Sequence, residues 1–288
     1  MAMRYAFLVS WLVLLSACGL GPDAASVQDS LGAAAGAKPL DLGAGGVSER
    51  MVRQRTLLWS DEFNGNALDT SIWNFELGDG CPNLCGWGNA ERQLYTRENH
   101  RVDNGLLTIT ARKDGDTYTS TRITTQGKRS VRYGRIETRA KLPVGHGLWP
   151  AFWMLGENIT EVGWPRCGEI DILEYVGREP GEVFTSLHTA AGHGDNATSR
   201  KTKFADIEEG FHRYAAEWTA EKIDFFVDDQ LVFTFNPELR SNAVWPYDQA
   251  FYVLLNVAIG GNFGGPEVDD SVFPQEFKID YVRVYAPE

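Results

Sequence analysis

The segment CGEIDILEYVG (residues 167–177) gathers Glu169, Asp171 and Glu174 inside an otherwise apolar run. On a helix the acids would spread around the cylinder, and Pro165, Gly168 and Gly177 punctuate the segment against one. On a strand Glu169 and Asp171 share a face, but the next position on that face is Leu173, so Glu174 points the wrong way. One inserted residue resolves the conflict. A β-bulge near Ile172–Leu173 returns Glu174 to the face of the other acids, with Ile170 and Ile172 packed beneath. The spacing of two and then three therefore reads as a bulged strand, and strand at this point sets the class of the fold.

Outward from it the same period recurs. GLLTITARK (105–113) alternates and meets the turn signal DGD. YGRIETRAKL (133–142) places Tyr133, Arg135, Glu137 and Arg139 on one face, and Ile136, Thr138, Ala140 and Leu142 on the other. KIDFFVDDQLVFTF (222–235) reads as a hairpin turning at Asp228–Gln230, and FYVLLNVAIGG and FKIDYVRVY are again strand-like. Helical periodicity of useful length is absent. The chain from about residue 56 is expected to be one all-β sandwich domain.

At 288 residues and 43% hydrophobic composition the chain can bury a full core. Its net charge of −12 argues against a nucleic-acid phosphate backbone as partner. Nine tryptophans supply flat faces of the kind on which the apolar side of a sugar ring stacks. Near the start, Arg4 precedes the apolar run YAFLVSWLVLLSA, which reads as an export signal too short for a comfortable membrane span. The run ends in LSAC (15–18), which resembles a bacterial lipobox and implies a lipid on Cys18. Residues 1–17 are thus expected to be a lipoprotein signal peptide. Residues 18–52, rich in Gly, Ala and Ser, are expected to form a flexible tether. The anchor places the domain, residues 53–288, at the outer membrane or cell surface, with periplasmic or secreted forms as alternatives. Cys81 and Cys85 read as a disulfide, since no nearby His or Cys completes a metal set. Cys167 is left as a buried free thiol.

Two carboxylates held in different protonation states are what glycoside hydrolysis requires, one ionised and one keeping its proton. Crowding helps, because a neighbouring negative charge raises a carboxyl pKa. A solvated acidic edge strand and a calcium site share the same three acids. Trp149 and Trp153, an even spacing apart, and Trp164 are candidate stacking walls beside the acids; a place in the core is the alternative for at least one of them.

The segments WGNAERQLYT (87–96), YGRIETRAKLPVGHGLWPAFWMLG (133–156), WPRCGEIDILEYVG (164–177), FHRYAAEWT (211–219), LLNVAIGGNFGG (254–265) and IDYVRVY (279–285) together resemble glycoside hydrolase family 16, in particular its bacterial laminarinases. The resemblance implies a β-jelly roll with a glycan cleft on its concave face and a retaining double displacement without a catalytic cofactor. It assigns Glu169 as nucleophile and Glu174 as acid/base, with Asp171 between them tuning the charge. It implies stacking by Trp149 and Trp153, and Asn89 and Glu91 on the non-reducing side of the cleft. Arg135 and Asn256 would donate hydrogen bonds at its floor. His188 would orient an acid or a sugar hydroxyl; it and His193 lack a third ligand for a metal. A structural Ca²⁺ on the convex face would draw on Glu62, Gly105 and Asp280. Ala90 and Arg92 stand where many relatives have Asn and Leu, which leaves fine specificity open. The extra residue Leu173 favours a laminarin-type β-1,3-glucan, and the resemblance implies an endo-hydrolase, expected to be a monomer. The alternatives are another β-glycan, such as mixed-linkage glucan or agar-type galactan, or a non-catalytic β-glucan-binding protein, from which the retained pair of glutamates separates this chain.

Overall fold

Alternating apolar and polar side chains mark one face of a segment for burial, and the chain follows that pattern into strands joined by short turns. The computed structural model describes residues 55–288; the expectations for the signal peptide, lipidated Cys18 and the tether lie outside the described residues. In chain order the first strands are β1 (Leu57–Asp61), β2 (Asn74–Glu76), β3 (Gln93–Tyr95), β4 (His100–Asp103), β5 (Leu106–Asp114) and β6 (Thr117–Ser120). Then come β7 (Arg122–Thr124), β8 (Ser130–Val131), β9 (Gly134–Lys141), β10 (Leu148–Gly156), β11 (Glu169–Glu174) and β12 (Glu182–His188). The last are β13 (Thr198–Lys203), β14 (His212–Trp218), β15 (Ile223–Val227), β16 (Gln230–Phe235), β17 (Phe251–Ile259) and β18 (Gln275–Tyr285).

They form two sheets, the β-jelly-roll sandwich expected. One runs β16-β15-β14-β9-β18-β5-β6-β3, with β1 on β18 and β4 on β5. The other runs β13-β12-β11-β10-β17-β7-β2, with β8 on β17. Ile136 and Ala140 of β9 meet Phe152, Ile170 and Leu255 of the opposite sheet in a shared core, as the alternation in 133–142 requires. Strand β17 is buried at every position. Its second face is covered by a smaller cluster of Leu155, Cys167, Tyr252 and Leu254, against which Trp153 packs. That double burial explains why FYVLLNVAI is nearly unbroken in its apolarity.

The bulge lies where the spacing of the acids puts it. Asp171 stands opposite Ser186 and Glu174 opposite Phe184, so three steps on β11 match two on β12. On the other side Phe152 pairs with Leu173 and Trp153 with Asp171, which leaves Ile172 as the extra residue. Ile172 and Leu173 both enter the core, and Glu174 returns to the face of Asp171. Glycines close both ends of this strand. Gly168 holds φ +79°, and a Cβ on Gly177 would sit 1.7 Å from the Gly145 carbonyl oxygen.

Candidate active site

Directly opposed residues of antiparallel strands share a face, so the pairing defines a row across the open face of the eight-stranded sheet. That row is Phe184, Glu174, Ala151, Asn256, Arg122 and Glu76. The next row, one pair of residues along, contains Ser186, Asp171 and Trp153. Glu169 follows opposite His188. All three carboxylates thus stand on one surface.

Their environments differ. The Glu169 side chain is 16% exposed, and its Oε2 accepts a hydrogen bond from Trp164 Nε1 at 2.7 Å. Glu174 is buried; its Oε1 accepts from Trp149 Nε1 at 3.0 Å and its Oε2 from the Ser186 hydroxyl at 3.3 Å. Ser186 faces Asp171 across the ladder, so the Glu174 side chain leans back towards the other acids. Asp171, deeply buried, has His188 Nε2 at 3.2 Å from Oδ2, and the same nitrogen lies 3.9 Å from Glu169 Oε1.

Burial pushes the Glu174 carboxyl up to about 7, with the charge of Glu169 adding to the rise and His188, Trp149 and Ser186 opposing it. Asp171 is raised by burial and by the charges of Glu169 and Glu174, against the pull of His188. For His188 burial alone would favour the neutral ring, but contact with Asp171 and the charges of all three acids outweigh it and raise the imidazole to about 10. At neutral pH a cationic His188 therefore sits among the carboxylates, and Glu174 is poised to give or take a proton. A buried proton donor beside a wetter carboxylate is an acid/nucleophile pair in the making.

Glu169, Asp171 and His188 are also the one cluster among the described residues with three metal-type ligand atoms within 4.8 Å of one another. A ring nitrogen protonated towards Asp171 has no lone pair for a metal. His193 stands apart from that cluster: it meets the Trp164 ring edge-on at 5.2 Å.

Other positions fall where pairing places them. Trp149 and Trp153 do share a face of β10, yet each is tied by its indole N–H, to Glu174 and, at 2.8 Å, to Asn256 Oδ1 respectively. Trp164 is the exposed member of the three tryptophans, its ring 5.9 Å from that of His188. Glu91 is buried and acts beneath the surface, accepting from Gln93 at 2.7 Å, Tyr95 at 3.0 Å and Asn89 at 3.2 Å. Arg135 requires a correction. It lies on β9, in the other sheet, where it binds Glu137 Oε2 through Nε at 2.9 Å and Glu217 Oε1 at 2.9 Å. Alternation fixes the face of a strand but not its sheet, so Arg135 is no part of the cleft floor. The arginine in the floor is Arg122, paired with Glu76, and nothing in its local sequence, STRIT, marks it. Ser186, Tyr95 and Phe263, which stands edge-on to Trp149 at 5.4 Å, are likewise visible only in the fold.

Cys81 and Cys85 form a disulfide with Cα atoms 4.2 Å apart, and Cys167 is a buried free thiol. Away from the acids, β1 and β5 pair with successive stretches of β18, ending at Val282 and Ile279. Glu62 and Gly105 follow into the gap between them, beside Asp280, the unpaired residue of a bulge against β9. The Glu62 carboxylate is taken by Arg283 at 2.9 and 2.8 Å, and Asp280 Oδ2 by Arg139 at 2.6 Å.

Residues 88–283 match the family model described as glycosyl hydrolases family 16. The chain belongs to that family. Among solved structures, this family 16 chain is 66% identical to a laminarinase from Flavobacterium sp. UMI-01, with a TM-score of 0.79 over 80% of this chain and 100% of that one. It is 44% identical over 246 residues to a beta-glucanase of Rhodothermus marinus, covering 80% of this chain and 84% of that protein. A glucan endo-1,3-beta-glucosidase A1 of Niallia circulans is 36% identical over 277 residues, which are 86% of this chain and 40% of that longer protein.

Proposed function

We propose that this family 16 chain is an endo-β-1,3-glucanase that cleaves laminarin-type glucan with retention of anomeric configuration. The observation that carries the reading is the bulged strand that sets a buried Glu174, its carboxyl raised by burial, and a wetter Glu169 on one face. Glu169 attacks the anomeric carbon and forms a glycosyl ester, while Glu174 gives its proton to the departing glycosidic oxygen. Glu174, now ionised, takes a proton from water; that water attacks the same carbon and frees Glu169. His188 and Asp171 supply the charge balance around Glu169, and Trp164 holds its Oε2.

Reducing-sugar release from laminarin, lichenan and agarose by the wild type and by Glu169→Gln tests this. Release from laminarin that vanishes in the variant supports it. Release from agarose alone moves the substrate to a galactan, and laminarin binding without release leaves a glucan-binding protein.

For a structural Ca²⁺, the pairing of β1 and β5 with β18 on either side of the bulged Asp280 supports the gap between them as the site. Glu62 and Asp280 each have carboxylate oxygens neutralised by arginine, so a cation there would draw on main-chain oxygens of Glu62 and Gly105 and on the bulged Asp280, hard donors of the kind calcium takes. Its contribution would be to stability, read as a melting temperature lowered by chelator. For export, the LSAC sequence supports lipidation at Cys18, and Cys18→Ser would then abolish incorporation of labelled fatty acid.

A further inference from the structure

Arg122 is 8% exposed, and its guanidinium carbon lies 4.4 Å from the ring centroid of Trp87 and 4.8 Å from that of Trp153. Glu76, opposite it on β2, supplies the counter-charge. The contacts close into a ring. Trp87 packs on Tyr95 at 5.5 Å, Asn256 Nδ2 donates to the Tyr95 hydroxyl at 3.0 Å, and Trp153 Nε1 donates to Asn256. Trp87 reaches this place from the loop behind the Cys81–Cys85 disulfide, with its own backbone held at φ 52°. A planar guanidinium can lie against indole faces while its N–H edge binds a carboxylate, a combination that the compact ammonium of lysine does not reproduce.

The row that contains Glu174 contains Arg122 three strands away, about 14 Å at ordinary strand spacing. Nothing at that distance touches the bond being cleaved. We propose that Arg122 is a positioning residue that fixes Trp87 and Trp153, both half-buried, as a sugar-contacting wall running from beside Asp171 to the remote end of the cleft, and so makes turnover depend on substrate chain length. This rests on the reading of the cleft as a β-glucan site. The chemical class recognised is a neutral glucan of several units, whose apolar sugar faces meet the indoles.

The test is steady-state kinetics of the full chain on β-1,3-gluco-oligosaccharides from disaccharide to hexasaccharide. It compares the wild type with Arg122→Lys, which keeps the charge against Glu76, and with the double variant Arg122→Met/Glu76→Gln, which removes the charge of Glu76 together with that of Arg122. Loss of the desolvated cation–π contacts with the two indoles should raise KM for the hexasaccharide about tenfold with little change in kcat, and leave the shortest cleaved substrate unaffected. An unchanged KM for the hexasaccharide, or an equal change at every length, overturns the proposal, since the second is what general loosening of the fold would do. A wild type that cleaves none of the series overturns the β-glucan reading and this proposal with it.

Discussion

At the scale of the residue, the site is governed by how burial and charge divide protons among three acids and one imidazole. Glu174 must be protonated to act as general acid, and its carboxyl is raised to about 7, so activity should fall as pH rises through that value. The indole N–H of Trp149 stabilises the ionised form of Glu174. Trp149→Phe removes that donor, and the alkaline limb of the pH profile of kcat/KM should move up by about one unit. A limb that stays in place would mean that Trp149 serves only as a wall. The three acids and Trp149 were legible in the sequence because strand period places them. The partners that set their protonation were less so: Ser186 reaches Glu174 only because β12 lies beside β11 in the sheet.

At the scale of the element, the bulge turns a period of two into a site. Deleting Leu173 alone would restore a regular strand with the last glutamate still on the open face. Such a variant should lose roughly 2–5 kcal/mol of stability with its buried leucine yet keep measurable hydrolysis. Deleting Ile172 and Leu173 together would turn that glutamate into the core and should abolish hydrolysis outright. Assays of laminarin hydrolysis and thermal melts of the two variants check this, and the opposite order of activity would refute the bulge as the device that aims Glu174. The bulge could be read from sequence because the conflict between spacing and period is local. The cross-strand row could not, because Glu76, Arg122, Asn256 and Ala151 come from four strands far apart in the chain.

At the scale of the whole molecule, the sandwich divides labour between its sheets. The eight-stranded sheet carries the acids, whereas in the other Arg135 and Glu137 of β9, Glu217 of β14 and Tyr281 of β18 form a network satisfied internally. Arg135 has only 6% of its side chain exposed. Replacing it by Met strands the buried Glu137, and urea unfolding should show a loss of about 3–5 kcal/mol with kcat on laminarin unchanged. Lost turnover at full stability would return Arg135 to the cleft. Strands β5, β9, β11, β15, β16, β17 and β18 were legible from alternation and turn residues, but the assignment of each strand to a sheet depends on long-range pairing that local pattern does not encode.

Double displacement on β-1,3-glucan by Glu169 and Glu174 fixes the anomer released, and proton NMR of the products formed in the first minutes of laminarin hydrolysis reads that anomer. New reducing ends should appear first as the β-anomer and reach the α-anomer only by later mutarotation. Initial appearance of the α-anomer would contradict double displacement.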